Sequence, residues 1–161
     1  MAAGIQKNTR QAERAGDANE ETGQGSEVMI IEYPGRLPGL NEIIDAAKRS
    51  PYEYAKMKDR YTSEIGWLAK KLPRYNKIDI TITWHEPNKK RDPDNITGGQ
   101  KFILDGLVAG GAIKDDSQRY INSITHKFAV DRENPRVEIS IEKAGGTNHD
   151  HARTPQTCIR T

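Results

Sequence analysis

Residues 77–107 read KIDITITWHEPNKKRDPDNITGGQKFILDGL, and the hydrophobic period changes within them. From Lys77 to Glu86 apolar and polar side chains alternate: Ile78, Ile80, Ile82 and Trp84 take one face, and Asp79, Thr81, Thr83 and His85 take the other. That period of two is the pattern of a half-buried strand. Beyond Asn95 the period lengthens. At about 100° per residue, Ile96, Ile103 and Leu107 share a face with Leu104 at its margin, while Asp94, Gly98, Lys101 and Asp105 form a narrow stripe on the far side. Gly110 and Gly111 supply a C-terminal stop. A strand therefore passes through a charged connection into a helix.

Working outward, EVMIIEYP (27–34) reads as a strand ended by Pro34, and LNEIIDAAKRS (40–50) as a short helix closed by Ser50 and Pro51. PYEYAKMKDRYTSEIGWLAKKL (51–72) reads as a longer basic helix whose Lys56, Lys58, Arg60, Lys70 and Lys71 either add affinity for a polyanion or form an ordinary solvated face. RYINSITHKFAV (119–130) and RVEISIEK (136–143) read as two more strands joined by a polar turn. The expected order is β-α-α-β-α-β-β: one α/β (α+β) domain, a mixed sheet with helices packed on it. The two ends, 1–26 and 145–161, are polar and poor in large aliphatic side chains, so they cannot bury enough surface to offset their ordering entropy. We expect disordered tails around a core of about 27–144.

At 161 residues and 34% hydrophobic content, the chain supports a single modest core. Although 30% of residues are charged, the formal net charge is only +2, so affinity for a polyanion must come from local clustering. The single cysteine, Cys158, excludes internal disulfides and Cys-rich zinc sites and is compatible with a reducing compartment, hence a cytoplasmic address. With no signal-peptide pattern and no long apolar run, no membrane association is expected.

The chemistry concentrates around the strand–helix connection. Pro93 pushes Asp92 toward extended geometry, so Asp92 and Asp94 are expected to project the same way. Such a tetrapeptide also serves as a turn in which Asp94 or Asn95 caps the next helix. Lys101 and Asp105 line up beneath the acids, and as an exposed i,i+4 pair they would contribute only a few tenths of a kcal/mol. Asp115 and Asp116 follow in the connection before the next strand. If that strand pairs beside the one preceding Asp92, these acids reach the same end of the sheet. Converging carboxylates suit a hard divalent cation, Mg²⁺ or Mn²⁺, and the neighbouring Lys89, Lys90 and Arg91 suit a phosphodiester. An EF-hand starting at Asp92 would need glycine where Thr97 stands, and HEPNK (85–89) lacks the second histidine of a zinc protease. His85 is read as structural.

With RDPDN (91–95), KFILDGL (101–107) and Asp115–Asp116 in this order, the chain resembles the RusA family of Holliday-junction resolvases, crossover junction endodeoxyribonucleases often encoded by phages and prophages. The resemblance is most specific over residues 91–121. It implies that Asp92, Asp94 and Asp116 bind metal, with Asp115 as an alternative, that Lys101 is the catalytic lysine, and that Asn95 and Asp105 support them. It implies further a symmetric homodimer that binds four-way junction DNA and nicks two opposing strands with Mg²⁺ or Mn²⁺, in recombination and repair. A general metal-dependent nuclease and a catalytically idle junction-binding module of the same fold are the rival readings. One spacing departs from the family pattern: Lys101 follows Asp94 by seven residues, where the pattern has about one helical turn.

Overall fold

A computed structural model describes residues 27–145. The segments read as disordered tails lie outside the described residues, apart from Gly145. The described chain forms β1 (Met29–Pro34), α1 (Leu40–Arg49), α2 (Pro51–Ala69), β2 (Ile78–Glu86), α3 (Pro93–Thr97), α4 (Gln100–Ala109), β3 (Ile121–Val130) and β4 (Arg136–Lys143). The strands make one mixed sheet in the order β1-β4-β2-β3, antiparallel throughout except for the parallel pair β2 and β3. The single-domain α+β architecture and its element order are those expected from the sequence, with the third helix divided at Gly98–Gly99.

β2 owes its central place to its alternation. Ile78, Ile80, Ile82 and Trp84 are buried toward the helices, beside Val137, Ile139 and Ile141 of β4 and Ile31 and Tyr33 of β1. The opposite sheet face carries polar side chains, among them His85, which pairs with Glu138 of β4. On the helical side α4 is enclosed: Phe102, Ile103, Leu104 and Leu107 join the sheet residues and Ile65 of α2 in one core. α2 crosses α4 closely, and a Cβ at Gly106 would stand 2.5 Å from Ile65 Cγ2. Only a residue without a side chain fits there.

The parallel pairing corrects one expectation. β3 does lie beside β2, in a register that runs from Ile78 opposite Ile121 to Glu86 opposite Val130. A parallel partner needs a crossover, here α3 and α4. The loop that leaves β2 and the loop that enters β3 therefore sit at opposite ends of the strand pair, and Asp116 does not share a sheet end with Asp92.

The break between α3 and α4 also has a packing cause. A Cβ at Gly98 would lie 2.6 Å from the Leu40 backbone nitrogen, and one at Gly99 would lie 2.9 Å from Leu37 Cβ. The glycine pair thus lets the start of α1 press onto the α3–α4 junction. In return Asn95 of α3 caps α1: its Oδ1 accepts the Asn41 N–H at 3.0 Å, a contact that the N-cap residue Gly39 has no side chain to make. Glu42 accepts the Gly39 N–H at 2.7 Å.

Candidate active site

Asp92 is the N-cap of α3 and holds an extended backbone (φ −73°, ψ 148°), as the following proline requires. Its side chain makes no capping hydrogen bond. Asp94 stands in the first helical turn, and both acids are exposed. Among the described residues neither takes part in an ion pair. Two carboxylates are thus presented to solvent at the end of β2.

Beyond the break at Gly98–Gly99, on α4, a second group forms. Lys101 Nζ donates to Asp105 Oδ1 at 2.8 Å and lies 3.6 Å from Asp116 Oδ2. The lysine stem spans what the topology separates, carrying a charge from the start of α4 to the loop before β3. Its hydrogen bond to Asp105 raises the Lys101 pKa; partial burial opposes this, and the Asp116 carboxylate adds to the rise. The ammonium stays charged at neutral pH. Asp115 makes no ion pair with Lys101; hydrogen bonding from the Ser117 side chain holds its carboxyl below the usual range.

The separation between the two groups follows from chain geometry. Counted at about 1.5 Å per residue, seven positions amount to about 10 Å against about 6 Å for a spacing of four, and the i→i−3 bonded turns at the Gly98–Gly99 break, with their larger rise, do not shorten that path. Among the described residues no three His, Cys, Asp or Glu side chains gather closely enough to hold a metal ion. The donor chemistry fits a hard divalent cation, being carboxylate oxygen alone. What is not assembled is the cluster, since Asp116 is engaged by Lys101.

The basic residues divide. Lys89 and Lys90 are exposed, but the Arg91 side chain is only 13% exposed and faces inward. Its guanidinium meets Glu86 at 3.1 Å and Glu42 at 3.5 Å, and Arg36 adds a contact of 3.0 Å to the same Glu86. This network pins the segment that ends in Asp92. The signal was present in the alternation of β2: Glu86 continues the even-numbered apolar face, and a carboxylate buried there requires cationic partners. Lys58, one of the α2 charges expected either to add DNA affinity or to form a solvated face, has its Nζ 3.4 Å from Asp105 Oδ2.

Below the acids, His126 of β3 accepts from Trp84 Nε1 through Nδ1 at 3.1 Å, while its Nε2 meets Gln100 Oε1 at 2.8 Å. Burial lowers the His126 pKa, so the neutral ring with Nε2 protonated satisfies both partners. It fixes the first residue of α4, next to Lys101, to the sheet.

The family model for the endodeoxyribonuclease RusA matches residues 40–142, well over half of the chain and all of the elements just described except β1 and the last residue of β4. This chain belongs to the RusA family. The family is one of endodeoxyribonucleases that act on Holliday junctions. No curated protein matches the chain.

Proposed function

We propose that the protein is a divalent-metal-dependent endonuclease that resolves four-way DNA junctions by paired nicks and works as a homodimer. The observation that carries this reading is the placement of Lys101, whose ammonium is held between Asp105 and Asp116. Asp92 and Asp94 would hold Mg²⁺ or Mn²⁺, which when bound supplies Lewis acidity and an activated water; Asp116, paired with Lys101, would join them only by exchanging that partner for the metal. Lys101, as a compact point charge, stabilises the negative charge that grows on the scissile phosphate. Asp105 fixes its direction. Lys89 and Lys90 hold the DNA backbone, contacts that position the substrate without reading its sequence, while Arg91 orders the segment carrying Asp92.

The test compares cleavage of a synthetic four-way junction with that of linear duplex and flap DNA, with and without Mg²⁺. Metal-dependent, paired cutting of the junction is the expected result. Equal cutting of all three substrates would make the protein a general nuclease, and junction binding without cutting in Mg²⁺ or Mn²⁺ would make it an idle binding module.

A further inference from the structure

Asp105 has two cationic neighbours on two different helices. Lys101 of α4 satisfies Oδ1 at 2.8 Å, while Oδ2 is buried, accepts no hydrogen bond, and faces Lys58 Nζ of α2 at 3.4 Å. The Asp105 side chain is only 15% exposed, so it needs compensation by a cation. Lys101 already provides it. Lys58 pairs with Oδ2 without a hydrogen bond and remains 43% exposed, so its ammonium can meet a second anion from the solvent side. Two ammonium groups, both open to solvent, therefore flank one buried carboxylate on the side of the molecule where Lys101 meets Asp116.

We infer that Lys58 is a second phosphate-binding residue of the active site, contacting the DNA strand beside the scissile phosphate, and that Asp105 is a positioning residue that sets both lysines. The inference rests on the proposed junction-cleaving activity. It assigns to α2 a direct part in substrate binding, beside the lysine that α4 shares between Asp105 and Asp116.

The experiment measures junction affinity over a range of salt concentrations, together with single-turnover cleavage, for the full chain. Lys58→Met keeps the aliphatic stem and removes the charge. Loss of one phosphate contact lowers the slope of log K against log salt by about one and weakens binding by about tenfold at moderate salt. Lys58→Arg restores the slope. Asp105→Asn slows cleavage about as much as Lys101→Ala does, and the double variant is no slower than either, as expected of groups acting through one another. A wild-type slope and affinity in Lys58→Met, with the wild type binding and cutting, would overturn the role of Lys58 alone. Additive losses in the double variant would overturn the role of Asp105. A wild type that binds no junction removes the proposed function and the Lys58 contact with it.

Discussion

Lys101 is where a structural and a catalytic account part company. As an exposed ion pair with Asp105, it would add a few tenths of a kcal/mol to stability and nothing to the reaction. As a preorganised donor to the phosphate, its loss falls on the transition state. Lys101→Ala is expected to slow single-turnover cleavage of bound junction by at least about a hundredfold while changing affinity little. Lys101→Arg is expected to recover little of that rate, since a planar fork does not replace a compact ammonium between two carboxylates. Slowing of less than a few-fold would remove Lys101 from the catalytic residues. Glu86 tests the other half of the site. It is buried against Arg36 and Arg91, so Glu86→Ala leaves the largely buried Arg91 with only the exposed Glu42 as an anionic partner and is expected to cost about 2 kcal/mol in urea denaturation. A loss below about 1 kcal/mol would mean that the network does not anchor the Asp92 segment.

The elements show how local pattern and long-range packing divide the work. At Gly98, helix propensity alone says that alanine should stabilise by about 1 kcal/mol. The backbone of Leu40 says otherwise, because a Cβ would stand 2.6 Å from its nitrogen and 2.8 Å from its Cα. Gly98→Ala is therefore expected to destabilise by about 1–3 kcal/mol, read as a lowered Tm; a raised Tm would show that α1 yields without cost. β1 and α2 are joined by Tyr33, whose hydroxyl donates to Glu64, which also accepts from Arg60 Nε at 3.1 Å. The Tyr33 hydrogen bond, ahead of the contribution of Arg60, holds the Glu64 carboxyl below its ordinary range. That support is complete above the ordinary glutamate pKa and disappears as pH falls through the lower folded value. Tyr33→Phe should accordingly flatten the acid limb of the stability curve, and an unchanged limb would mean that the pair contributes nothing. What could be read from the sequence was what repeats locally: the alternation of β2 matches its burial residue for residue, and α1 and α2 begin at Leu40 and Pro51 as expected. Strand direction was not legible, since Ile78, Ile80 and Ile82 alternate identically in parallel and antiparallel pairs. Nor was the use of Asn95, which caps a helix formed far earlier in the chain, or the inward turn of Arg91, whose partners Glu42 of α1 and Glu86 of β2 come together only in the folded chain.

At the scale of the whole molecule, one domain presents two exposed acids at α3 and a lysine–aspartate group on α4, a helix packed between the sheet and α2. Among the described residues no helix is long and apolar enough to cross a membrane. Paired nicks on a two-fold junction require two identical sites at a fixed spacing, which an isologous dimer supplies. Light scattering at assay concentration is expected to give a dimer mass, and an active monomer would contradict the paired mechanism. The claim on which everything else depends is that the exposed carboxylates ahead of α4 bind the metal. It is tested most directly with Asp94→Asn, an isosteric change that removes one carboxylate charge and leaves every lysine in place. Measured side by side in Mg²⁺, junction binding is expected to stay within a few-fold of wild type while cleavage is lost; near-normal cutting by this variant would contradict the account.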